Sequence, residues 1–262
     1  MRYLYHAMRM NLKSIAQYRA SFLMQNIAQF VMVGGEFLAV VVLMTRFTSA
    51  GQWRAEEIML FWGVMQLTFA LCECLGRGIS TFAYYVGSGD FDTILLRPRP
   101  LMQQVIGHRL DPRRLGGMIV GGGAIALACA RLHIVWTLEK LGLTLLAALG
   151  GFFLILGLFL IEATVSFFSV RSIEAVNIFT YGGRSTCQYP VDVYPRPLRI
   201  LFTWVAPFAL SMHLPISHVL GKPLFNVPMA LVWLAPLAGP VFFLLMTRVW
   251  YIGVKHYRST GT

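Results

Sequence analysis

The side chains with the most chemical potential in this sequence are Glu36, Glu73, Glu162, His213 and His218, each embedded in an apolar stretch. A carboxylate or imidazole so placed can relay protons, ligate a metal, act as general acid or base, or close a buried hydrogen-bond network. Spacing argues among these. His213 and His218 are five apart, off the i, i+4 spacing of a helical ligand pair, and no acidic third ligand is near in sequence. Cys72 and Cys74 form C-x-C, and Cys129 and Cys187 are remote, so neither a metal-ligand set nor a disulfide framework is spelled out. Glu73 and Arg77 at i and i+4 predict an intrahelical ion pair rather than a catalytic acid. Glu36 is open between a substrate-path contact, a partner for an arginine and a hydrogen-bonded packing group. Glu162 reads as a partner for Arg171 or as the cap of a polar cluster. No G-x-x-x-x-G-K-[ST], G-x-S-x-G or H-E-x-x-H occurs. The single Gly-Lys, Gly221-Lys222, runs into Pro223, and Gly121 to Gly123 sit in an apolar run with no Lys-Ser/Thr behind them. The chain therefore has no P-loop for hydrolysing ATP, and no catalytic residue, metal or cofactor of its own is expected.

The elements that must position these groups are membrane spans. Hydrophobic residues make up 57% of the 262, charged residues 13%, and several apolar runs approach the roughly 20 residues needed to cross hydrocarbon. The ten-residue alternation of an outer-membrane barrel is absent, which leaves an all-α integral membrane protein. The net charge of +11 would fit nucleic acid in a soluble chain, but the basic residues cluster between apolar runs and no stretch interleaves them with aromatics, so nucleic-acid binding is excluded.

Residues 1–20, with Arg2, Arg9, Lys13 and Arg19 set against Leu4, Met8, Leu12 and Ile15, predict an amphipathic interfacial helix in contact with membrane lipid. Spans are expected at 22–44, 58–75, 115–130, 141–168 and 228–251, joined by outer turns at 45–57 and 131–140. Arg97, Arg99, Arg109, Arg113 and Arg114 make the loop after the second span the most basic, and so an inside loop. The fifth crossing is open: 200–220 is more apolar but broken by Pro207 and Pro215, whereas 172–188 is short and polar. Either choice gives six transmembrane helices with both termini cytoplasmic.

Within the basic loop, residues 89–100 read GDFDTILLRPRP. Phe91, Ile94 and Leu95 share one helical face, while Asp90, Asp92 and Arg97 lie off it, as on a helix offered to a cytoplasmic partner. This segment, the interfacial helix and the order of spans resemble the membrane subunits of ABC-2 type transporters, in particular a bacterial branch formerly of unknown function. A second matching segment is Tyr189-Pro190-Val191-Asp192-Val193-Tyr194-Pro195, followed by Leu198-Arg199, Pro207, Pro215 and Leu220-Gly221. The resemblance implies that 89–100 is a coupling helix, with Asp90, Phe91, Asp92, Ile94, Leu95 and Arg97 docking in a separate ATP-binding cassette subunit. That subunit would be present in two copies and would hold the ATP and Mg. It further implies a second permease chain, identical or related, a place in the bacterial cytoplasmic membrane, and export of amphipathic or hydrophobic cargo. It favours 172–188 as the fifth span with 200–220 re-entrant, which puts Arg184 near the outer end of a span and in need of a partner or an aqueous path. Glu36, Glu73 and Glu162 are the candidates for translocation-path or buried polar roles. The competing functions are an intramembrane lipid-modifying enzyme built on those acids with His213 and His218, and a passive channel. The ionisable groups are scattered singly over different spans, and no span carries a repeated polar stripe or a filter-like loop.

Overall fold

A computed structural model describes residues 9–11, 13, 17–46, 49–169 and 176–257. The amphipathic segment expected at 1–20 lies mostly outside the described residues, as does Arg171.

The described chain is a helical bundle with one small hairpin. α1 (Arg19–Arg46) is followed by two short paired strands, β1 (Ser49–Ala50) and β2 (Trp53–Arg54), and then by α2 (Ala55–Leu75). Glu57 sets the start of α2, since its carboxylate accepts the Arg54 backbone N–H at 2.7 Å and, with Glu56, places negative charge on the helix N-terminus. Four short helices follow: α3 (Arg77–Ser80), α4 (Phe82–Gly87), α5 (Asp90–Leu95) and α6 (Leu101–His108). α7 (Leu115–Leu132) then runs back antiparallel to α2, ending at His133 in the left-handed region with φ 48°. α8 (Leu138–Val165) starts at a Thr137 cap and is the second long antiparallel return. A π-helical turn (Ile178–Gly182) leads into α9 (Gly183–Cys187). α10 (Arg196–Ile200), extended by Leu201–Val205, and α11 (Leu214–Val219), preceded by Ala209–His213, are bent 82° to one another. α12 (Met229–Leu234) and α13 (Ala238–His256) form one long final helix across a 3-10 turn.

Five of these helices are long and apolar enough to cross a membrane, and six if the bent pair is counted as one. α2 is the centre, buried along most of its length, whereas α1 and α13 leave most side chains outward. The bundle closes through small residues. On α7, Gly117, Gly121, Ala124 and Ala128 recur at helical spacing and are buried; Gly122, Gly123 and Ala126 point outward. A Cβ at Gly121 would lie 2.8 Å from the Leu67 backbone nitrogen, and one at Gly63 would lie 3.0 Å from the Gly121 carbonyl, so α2 and α7 meet backbone to backbone. α8 and α13 do the same where a Cβ on Gly239 would collide with the Gly150 carbonyl.

The hairpin end of the bundle is tied together by polar contacts. The Trp53 indole N–H donates to Asp192 Oδ1 at 2.8 Å, and Gln52 Nε2 donates to Asp192 Oδ2 at 2.9 Å. Lys222 Nζ reaches Glu57 Oε2 at 2.6 Å and the Gln52 carbonyl at 2.8 Å, with its ammonium 5.5 Å over the Trp53 ring. The segments before α10 and after α11 are thus pinned to the same hairpin. Between them the bent pair packs inward, with Met212 against Gly151 and the Ser211 carbonyl against Gly150, about 18 Å along α8 from its start.

A Leu at position 239 should therefore force α8 and α13 apart at an overpacking cost of about 1–3 kcal/mol or more. Thermal unfolding of the detergent-solubilised chain should show a lowered midpoint for Gly239→Leu and an unchanged one for Gly122→Leu, whose Cβ meets open space. Equal midpoints would contradict this packing.

Candidate functional site

Polar groups that the sequence distributes over α1, α2, α3, α7, α8 and α9 lie along one seam of the bundle. One member is Arg184 of α9, half-buried at mid-bundle. One guanidinium nitrogen, Nη2, donates to Glu36 Oε2 of α1 at 2.9 Å and to Gln66 Oε1 of α2 at 2.7 Å, and the guanidinium lies 5.0 Å over the Phe69 ring. Gln66 is eleven residues past Ala55, about 16 Å along α2. Arg184 therefore engages the middle of the neighbouring helices rather than their outer ends, because its long side chain and a partner at that depth together meet the cost of an unpaired charge. Glu36 is the open side of this pair: its side chain is 40% exposed, against 17% for Arg184.

Further along α2 stands Glu73, whose side chain is buried. Arg114, at the start of α7, approaches it at 3.0 Å and Arg77 at 3.8 Å. The i, i+4 neighbour is thus the longer contact, and the closer partner comes from another helix. Arg77 also faces Asp111 at 3.6 Å, and Arg113 chelates Asp111 through Nε and Nη2, the latter at 2.8 Å. Burial alone would raise the Asp111 carboxyl, but the Arg113 hydrogen bonds and the charges of Arg77 and Arg114 outweigh it and hold the group below its ordinary value. Arg113 and Arg114 also donate to Gln25 and Gln29 of α1 at 3.0 and 3.5 Å. One ionic knot so joins α1, α2, α3 and α7. Glu162 of α8 is buried facing Thr180, its Oε1 without a hydrogen-bond partner among the described residues. Tyr181 lies between these groups, its ring 5.7 Å from Phe69. His213 takes no part: its Nε2 is 2.7 Å from the Cys187 carbonyl and its ring packs edge-on to Phe61 at 5.4 Å.

Below the knot lies α5. Gly89, at φ 78°, makes the left-handed turn into the helix, and Asp90 and Asp92 occupy its first turn, where the helix dipole favours anions. Phe91 and Ile94 are fully buried, whereas Leu95 is 42% and Leu96 85% exposed. Leu95 leaves the apolar face on which periodicity puts it because the helix stops there, with Pro98 and Pro100 breaking the chain before α6. Phe91 meets Phe82 edge-on at 5.0 Å, Phe167 at a tilt at 5.6 Å and Tyr257 edge-on at 4.9 Å, and Phe82 in turn meets Trp250 at 5.7 Å. Phe167 follows α8 and Trp250 and Tyr257 belong to the end of α13, so α5 is bolted to the ends of two long helices. Burial, and then the Asp92 carboxylate beside it, raise the Tyr257 hydroxyl. Spacing along the sequence contains no sign of this aromatic cluster, since its members come from four separate segments.

Removing one partner of the mid-bundle ion pair leaves the other uncompensated. Arg184→Met should destabilise the chain by less than the about 3–5 kcal/mol typical of a fully buried pair, because Glu36 is partly open. The double variant Arg184→Met with Glu36→Met should recover most of that loss in thermal unfolding. No recovery in the double variant would show that the pair is not the stabilising unit.

A protein-family model described as ABC-2 family transporter protein matches residues 30–261, nearly the whole length. Searches of curated proteins and of solved structures found no match. With apolar helices of spanning length, a mid-bundle ion pair and a short amphipathic helix bolted to two of those spans, the chain belongs to the ABC-2 transporter family: it is a multi-pass membrane permease of an ABC transporter, the transport component rather than the ATPase.

Proposed function

We propose that this permease is an exporter of amphipathic or hydrophobic cargo, driven through α5 by a separate ATP-binding subunit. The observation that carries the reading is the two-sided character of α5. Phe91 and Ile94 face the aromatic cluster at the ends of α8 and α13, while Leu95, Leu96 and Arg97 are left to solvent on a surface that fits a groove of another protein. Asp90 and Asp92 set the charge of that surface's leading edge. Movement of a docked ATPase would be delivered to two spans at once through Phe91. Two ATP-binding subunits, holding ATP and Mg, would drive two permease chains, identical or related, in rocking between inward-open and outward-open states.

In this reading the α5 end of the bundle is cytoplasmic, as are both termini, and the membrane is the bacterial cytoplasmic one. The high arginine content between α5 and α7 supports that side. The segment expected at 172–188, of which 176–188 are described, makes the fifth crossing, and 200–220 is a re-entrant element. What supports this is that the chain is pinned to the β1–β2 hairpin both before and after the 82° bend, so it enters and leaves on one side. Glu36, open at the edge of α1 beside Arg184, lines the translocation path, and Glu73 and Glu162 transmit or stabilise its inner half.

Two measurements test this. Leu95→Asp with Leu96→Asp, or charge reversal at Asp90 and Asp92, should abolish co-purification of a P-loop ATPase and ATP-dependent transport while leaving membrane insertion intact. Phe91→Ala should retain the ATPase subunit but uncouple hydrolysis from transport. Normal transport in all three variants would remove α5 from the mechanism. Separately, a single cysteine at Arg196 should react with an impermeant maleimide from outside only; reaction solely from the cytoplasm would refute the re-entrant placement.

A further inference from the structure

A groove of about 750 Å³ lies between the bent pair and the final helix, and the transport reading leaves it without a role. Its two walls carry matching helical stripes. Arg196, Arg199, Ile200 and Thr203 recur at i, i+3, i+4 and i+7 on one side, and Leu231, Leu234, Ala235 and Ala238 repeat the same spacing on the other. Stripes so spaced ordinarily bury themselves against each other. Here Ile200, Leu231 and Leu234 remain 49%, 49% and 55% exposed across an unfilled trough. The volume falls within the about 300–1,000 Å³ of small-molecule sites.

The mouth of the groove is cationic. Arg196 and Arg199 stand one helical turn apart, both exposed, and neither has an ion-pair partner among the described residues. The one acid on the rim, Asp192, is turned toward Trp53 and Gln52. The far end of the groove runs out along α13, where Val241, Leu244 and Leu245 are 54–62% exposed. That is the surface of a helix standing in hydrocarbon, so the trough opens sideways into the bilayer while its arginines stay at the interface.

We propose that this groove is a binding site for an anionic phospholipid, with the phosphate held between Arg196 and Arg199 and an acyl chain laid between the Ile200 and Leu231–Leu234 walls. Guanidinium groups match phosphate oxygens in bidentate geometry, and a basic pocket between membrane helices suits an anionic headgroup. A free phosphate ion would leave the apolar trough uncovered. A protein partner would need acidic side chains to meet the two guanidinia and apolar ones deep enough to reach the floor at Leu210 and Leu214. A phospholipid supplies both chemistries in one molecule and is present wherever the chain is. The inference rests on the transport reading only for its leaflet, since an outside Arg196 places the headgroup in the outer leaflet.

The test is lipid retention by the purified permease, with whatever ATPase subunit accompanies it, in detergent, where sidedness and transport do not enter. Native mass spectrometry during titration with phosphatidylglycerol or phosphatidylcholine should show saturable binding that favours phosphatidylglycerol. Arg196→Ala with Arg199→Ala should weaken phosphatidylglycerol binding about tenfold or more, given the attraction of two arginines to an anionic headgroup. Arg131→Ala, which removes an exposed charge elsewhere, should leave it unchanged, and Ala235→Trp, which fills the trough and keeps both arginines, should weaken retention of both lipids. Equal binding of the two lipids, undiminished binding in the double alanine variant, an equal loss in Arg131→Ala, or full displacement by inorganic phosphate would each overturn the proposal. Cysteine labelling at Arg196 separates the outcomes: inside-only reaction would move the leaflet and sink the topology, whereas the retention assay alone decides the lipid site.

Discussion

A charge held at the middle of a helical bundle must bring its partner with it, and much of this permease's packing follows from how Arg184 meets that demand. The arginine sits on α9, a helix too short and polar to be held by apolar packing alone. Its hydrogen bonds to Glu36 and Gln66 fasten that helix to α1 and α2 at mid-bundle, and Phe69 covers the guanidinium face. In a low-dielectric surrounding each of these contacts is stronger than in water, and loss of any one is correspondingly more expensive. The same logic orders the next layer, where Glu73 and Asp111 are compensated by Arg77, Arg113 and Arg114 from three different segments. The polar seam is thus a set of cross-links between helices whose outer faces are apolar and have no reason to prefer one another over lipid.

Against this fixed framework the α5 end has a different mechanical character. Its contacts are mainly aromatic: Phe82, Phe91, Phe167, Trp250 and Tyr257 meet edge to face or tilted, with Asp92 beside the Tyr257 hydroxyl. Such a cluster resists separation yet tolerates small sliding between α5 and the two long helices it touches. The hairpin end is held the opposite way, by directional bonds from Trp53, Asp192, Glu57 and Lys222. The bundle is thus held by directional bonds at one end and by aromatic packing at the other.

Much of this was legible in the amino-acid sequence. Long apolar runs broken by arginine-rich gaps define an all-α membrane protein because only helices and closed barrels satisfy the backbone in lipid, and the alternation of a barrel is absent. The GDFD segment marks α5, and Gly89 with two first-turn acids starts it where the pattern says. The low-hydropathy segment around 172–188 and the proline-broken run at 200–220 are visible as anomalies, though not as to which one crosses. The Glu73–Arg77 spacing gives a real contact, but the stronger partner, Arg114, is 41 residues away and carries no local signal. The Phe91 cluster and the Arg184–Glu36 pair, at a separation of 148 residues, are likewise invisible to periodicity.

The amino-acid sequence by itself determined the class of solvent this protein folds in and where five of the helices long enough to cross it lie, because hydropathy and length are properties of contiguous residues. Only the tertiary structure decided which scattered charges neutralise one another, which glycines are contact points rather than filler, and which leucines of α5 remain outside. Those outcomes depend on helices meeting at particular depths and rotations. Small residues such as Gly150, Gly239, Gly63 and Gly121 let backbones touch, and the fit of neighbouring side chains, not their order along the chain, then selects the pairing.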